Sequence, residues 1–331
     1  MNNSDPRRLL VSATPLLALI ALLVLFYVPA IRYVDCYRTN CASIVANVNR
    51  VVAASHESVR KALETDQRVG SIYVARINFL FLLVVYFGIC VLAFVVGCLG
   101  ILKSLSYANV KSSTTWCIAA IALSSAVGVF LYRKPGLYLS LFLPLIRSTI
   151  QVDLSATESL LVFVNSFGFA TVLLLTLASC AALYPRNKRT SPEGLKQITL
   201  QMTRLRSVLY VGTFMLVSGI LLIRSVYHWV LAFDLRDEKV VQTAGSFFAA
   251  LLTAQGGFFT LVLAVVYLPA ALILRKRADS LSGLPELEKD KEELLHNYNL
   301  SFSFMQSLPR IAAILGPLLA GPVGELFSRL G

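Results

Sequence analysis

Between Asn165 and Arg189 the chain reads NSFGFATVLLLTLASCAALYPRNKR, an uncharged apolar run closed by Arg186, Lys188 and Arg189. A bilayer core of ~30 Å takes roughly 20 mainly apolar residues to cross as a helix. Lipid offers no partner for backbone N–H and C=O groups, so a run of this kind must satisfy them internally, as a helix does. The basic end sets the direction of threading, because Lys and Arg gather in cytoplasmic loops. Composition agrees. Of 331 residues, 56% are hydrophobic and only 15% charged, with a mean hydropathy of +0.71, whereas soluble domains are nearer a quarter charged.

Six segments meet the spanning test, at about 10–30, 77–101, 115–132, 159–184, 207–230 and 246–274. Their continuous apolar character argues against the short alternating strands of a β-barrel. The first is longer than the apolar core of a secretory signal and closes on Phe26-Tyr27-Val28-Pro29 rather than on small residues, so it reads as an uncleaved helix. Arg7, Arg8, Lys103, Lys111, the cluster from Arg186 to Arg206, and Arg275 to Arg277 fall on one side. The expected fold is therefore an all-α integral membrane protein, N-in and C-in, of the plasma (inner) membrane. Its parts are the N-terminus and first helix (1–30), an extracytoplasmic helical loop (31–76), a five-helix core (77–277) with a cytoplasmic loop (185–206), and a cytoplasmic tail (278–331). Tyr227 and Trp229 suit an outer interfacial belt.

Smaller features refine this layout. Cys36 and Cys41 in the outer loop could close a disulfide ring or remain free thiols. The apolar piece from Leu137 to Ile146 is too short to span. Ser191-Pro192-Glu193 reads as a helix start, with Ser as N-cap and Pro at the first helical position. Leu195, Ile198, Met202, Leu205 and Leu209 then form a stripe that packs on the chain's own inner parts or on another subunit. In the tail, Pro285 to Tyr298 predicts an amphipathic helix. The following apolar segment, 308–330, is broken by Pro309, Gly316-Pro317 and Gly321-Pro322. It is expected to lie on, dip into or cap the inner face, with a seventh crossing as the alternative.

The opening stretch has an echo 89 positions on. Gly168-Phe169 falls on Gly257-Phe258, Thr171 on Thr260, Leu174 on Leu263, Ala181-Ala182-Leu183 on Ala270-Ala271-Leu272, and Arg186 on Arg275. A duplication would make the fourth and sixth segments equivalent and parallel.

Chemistry is sparse. No Asp or Glu lies inside the six segments, which disfavours a transporter driven by carboxylate protonation. Metalloprotease, phosphate-loop, nucleophile-elbow and C-x-x-C motifs are missing, so no enzyme, cofactor or metal is expected. Net charge is +12, but without a soluble basic domain nucleic acid is not an expected partner. The candidate positions are Asn165, Gln255, Gly256 and Gly257, which could line a pore or make helix contacts, and Arg224 with His228, where the arginine could snorkel outward or the pair could line a pore or bind an anion. The leading expectation is a non-catalytic membrane component that oligomerises or binds a membrane partner. A passive channel lined by small and amide residues is the alternative, and an ion-coupled transporter or membrane enzyme comes last.

Overall fold

The computed structural model describes residues 11, 13–22, 66–107, 113–133, 155–184, 192–231, 238–282 and 308–320, and these are all-helical. There are seven helices among them. α1 covers 14–22, α2 Asp66–Tyr107, α3 Ser113–Arg133, α4 Ser155–Ala182, α5 Pro192–Leu231, α6 Glu238–Ser282 and α7 Leu308–Ala320. Four of them, α2, α4, α5 and α6, contain a stretch long and apolar enough to cross a membrane. α3 holds a shorter apolar stretch, Thr115–Phe130. Cys36, Cys41, most of the loop expected at 31–76, Leu137–Ile146, the helix expected at Pro285–Tyr298 and the last residues of the tail lie outside the described residues.

Two boundaries are instructive. α5 opens at Pro192, the position that Ser191-Pro192-Glu193 marks, and runs unbroken past the expected edge at 207 to Leu231. α2 opens at Asp66 rather than at 77. The residues between contain no proline, and the isolated Gly70 is a breaker a helix tolerates.

The burial pattern sets the arrangement. In their most apolar windows α4 and α5 are each 56% buried, against 28% for α2 and 33% for α6. α4 and α5 are therefore central and the other two peripheral. α2 packs on α4 and α5, α6 on α5, and α3 on α4. One apolar core gathers Phe79, Leu83, Leu174, Ile220 and Leu222. A second gathers Leu183, Met202, Leu205, Ala270 and Leu274. Ile198, Met202, Leu205 and Leu209 of the amphipathic stripe are all buried there, so it packs within the chain.

Where α4 ends, an arginine of α6 and a glutamine of α5 serve as caps. The N–H groups of Leu183 and Tyr184 bond back to Cys180 and Ala181 at 3.1 and 3.2 Å, tightening the last turn. The carbonyls left over at such an end need donors from elsewhere. Arg277 of α6 donates to Leu183 O at 2.6 Å, and Gln201 of α5 donates to Tyr184 O at 3.1 Å. Arg204 of α5 reaches Ser104 of α2 at 3.3 Å. Four helices are tied at one basic end.

The aromatic belt expected at the far end of α5 is corrected. Tyr227 is 2% exposed and Trp229 3% exposed. Trp229 stacks on Phe79 of α2, ring centroids 5.2 Å apart and planes 19° off parallel. These rings pack helix on helix rather than against headgroups.

Candidate functional site

The tail segment does not break at Gly316-Pro317; it remains helical through Ala320. Proline has no N–H, and its ring crowds the carbonyl four residues earlier. In α7 that carbonyl belongs to Ala313. The hydroxyl of Thr213, on α5, shares its one proton between this carbonyl at 3.0 Å and Leu209 O of its own helix at 2.8 Å. One turn further, the N–H of Leu318 donates to Thr260 Oγ1 of α6 at 3.2 Å. A hydroxyl from each neighbouring helix thus serves the backbone that the proline disturbs.

Small residues make the approach possible. A Cβ placed on Gly256 would come 2.6 Å from the Pro317 carbonyl oxygen and 3.1 Å from Leu318 Cα. A Cβ on Gly316 would meet Thr213 Cγ2 at 3.1 Å and Val217 Cγ2 at 3.6 Å. Gly257 is different, since its nearest such neighbour is Leu318 Cδ1 at 4.0 Å. Of the adjacent pair, Gly256 alone is the contact that requires glycine. Close backbone approach at small residues is how helices associate in lipid, where apolar burial gives no preference for protein over lipid.

The other expected positions fall elsewhere. Gln255 is half-buried beside this clasp. Asn165 is half-buried on α4, about one turn from Gly168. Arg224 Nε donates to His228 Nε2 at 3.2 Å along one face of α5. His228 is exposed and Arg224 partly so.

A second close fit was not foreseen. Tyr86 of α2 is 7% exposed, and its hydroxyl occupies the place a Cβ on Gly168 of α4 would take. Its ring edge also lies against Gly219 of α5, 3.3 Å from where a Cβ would stand. Tyr86 hydrogen-bonds Cys90 one turn along α2. Only a tyrosine inside an otherwise apolar run, with glycines on two other helices, could have signalled this.

A cavity among α4, α5 and α6 measures about 30 Å³ and is lined by groups such as Thr176, Ser179, Gly212, Leu216 and Tyr267. That volume suits a water or two rather than a solute path. The two threonines of the echo also differ in surroundings. Thr171 is fully buried and bonds its own helix at Phe167 O, 2.9 Å away, whereas Thr260 serves α7.

Set beside protein-family models, curated proteins and solved structures, the chain matches none.

Proposed function

We propose that the chain is a non-catalytic membrane component that works by association, with a second copy of itself or another membrane protein, rather than by conducting a solute. In this reading it has six spans in the plasma (inner) membrane with both termini inside. α7 is a further segment dipping in from the basic side. Its 13 residues are about 20 Å long, short of an ~30 Å core.

One observation carries the reading. The glycine a pore would place beside its lumen, Gly256, lies against the chain's own Pro317 carbonyl, and the cavity described among α4, α5 and α6 holds only about 30 Å³. The outward face of α2 supports it. Phe81, Val84, Leu92 and Val95 are exposed there, and around Gly88 nothing lies within 4 Å of where a Cβ would be. An open glycine on an apolar face is a place where a partner helix can approach closely.

The test is oxidative cross-linking of Gly88→Cys in native membranes, with wild type as the control for native thiols, beside solute flux in reconstituted vesicles. Association predicts a cross-linked dimer or a linked partner specific to the variant, and no flux. A monomer without cross-links, or protein-dependent flux, contradicts the proposal.

A further inference from the structure

We propose that Cys98 of α2 and Cys117 of α3 are a redox couple that a hydroperoxide closes into a disulfide joining the two helices. The contact is direct. The Cys117 thiol donates to the backbone carbonyl of Cys98 at 3.8 Å, and the two thiols also hydrogen-bond each other. A disulfide forms between cysteines whose backbones stand near enough for the sulfurs to meet. Here the thiol of one already touches the backbone of the other.

The other described cysteines are taken up elsewhere. Cys90 is fully buried and hydrogen-bonds Tyr86, while Cys180 bonds the backbone of Leu16. The pair also differs internally, since Cys117 is 3% exposed and Cys98 is partly exposed. Cys98 lies under two turns from Ser104, which meets Arg204 at the basic end. Cys117 lies about one turn into α3, which opens at Ser113. A small oxidant arriving at that end therefore meets Cys98 first, with Cys117 held behind it.

The chemistry selects a disulfide. Two sulfurs are too few for zinc, which takes four ligands, and among the described residues no three His, Cys, Asp or Glu side chains gather. A soft monovalent ion between two thiolates would leave a net negative charge in apolar surroundings, which is costly. A disulfide is neutral. The Cys98 sulfur attacks one peroxide oxygen and breaks the O–O bond, giving a sulfenic acid. The departing oxygen takes the Cys98 proton and leaves as water or an alcohol. The Cys117 sulfur then attacks the Cys98 sulfur. The S–O bond breaks as the S–S bond forms, and the sulfenic oxygen leaves with the Cys117 proton as water. Two thiols lose two electrons and one peroxide gains them. A dithiol reverses the bridge by exchange. None of this depends on whether the chain associates.

The test takes the full-length protein in native membranes, adds hydrogen peroxide, and quenches with N-ethylmaleimide in denaturant. Mass spectrometry of the digest should show Cys98 and Cys117 linked within one chain. Their maleimide adducts should be lost together and restored by dithiothreitol, while Cys90 is still alkylated. Cys117→Ser removes the second thiol, so Cys98 should instead accumulate as sulfenic acid and take up dimedone. The wild-type linkage decides the matter by itself if that variant does not fold. Cys98 and Cys117 both free after peroxide, bonded to other cysteines rather than to each other, or lost no faster than Cys90, would overturn the couple.

Discussion

The hydroxyl of Thr213 stands 3.0 Å from the carbonyl oxygen of Ala313, the carbonyl that residue 317 would bond if it were not proline. α5 thus brings a donor to the carbonyl the proline leaves open, one that Thr213 shares with Leu209 O of its own helix at 2.8 Å. Thr213→Val keeps the shape and removes that donor. It should cost about 1 kcal/mol, within the range measured for hydrogen bonds between membrane helices. Reversible unfolding in mixed micelles measures this. Stability equal to wild type would show that the carbonyl finds another donor or needs none.

Gly256 and Gly257 offer an internal comparison. A Cβ on Gly256 would stand 2.6 Å from a backbone oxygen, whereas on Gly257 it would touch only a leucine methyl at 4.0 Å. Gly256→Ala should destabilise by about 1–3 kcal/mol, the usual cost of overpacking. Gly257→Ala should be neutral or slightly stabilising, because alanine is the better helix former. The same unfolding assay separates them. Equal effects would contradict the contact.

Tyr86 and Gly168 should be coupled. Gly168→Ala forces the tyrosine hydroxyl from its place and should lower stability markedly. In a Tyr86→Phe background the oxygen is gone, and the ring carbon lies 3.4 Å from the new Cβ, ordinary contact. The second substitution should therefore recover most of the loss caused by the first. A double-mutant cycle reads this directly. Additive effects would mean that the two residues do not meet as described.

Much of this was legible in the sequence, and the reasons for the rest are physical. Four of the six long uncharged runs foretold the helices long and apolar enough to cross a membrane, and Ser191-Pro192-Glu193 foretold the start of α5, because both signals are local. The Gly256 contact was half legible. Gly256-Gly257 and Gly316-Pro317 each stand out, but nothing local says that Gly256 and Pro317, 61 positions apart, will meet. Nothing local marks Thr213, because a hydroxyl in an apolar helix usually bonds its own backbone, as Thr176 does to Val172 O at 2.9 Å and Thr213 itself does to Leu209 O at 2.8 Å. The proline was the clue, since it creates an acceptor that some neighbouring helix must serve. Trp229 misled for a related reason. An aromatic near the end of an apolar run reads the same whether it meets headgroups or, as here, stacks on Phe79 of another helix.

The central claim is that α7 is seated between α5 and α6. A double substitution, Thr213→Cys with Gly316→Cys in a background lacking the native cysteines, tests it most directly. The Cβ of residue 316 would stand 3.1 Å from the present Thr213 Cγ2, within the reach of a disulfide. Mild oxidation in intact membranes should then produce an intramolecular bridge joining the tail to α5, identified by mass spectrometry of the linked peptides. Two free thiols after oxidation, with controls elsewhere in the chain bridging normally, would contradict the account.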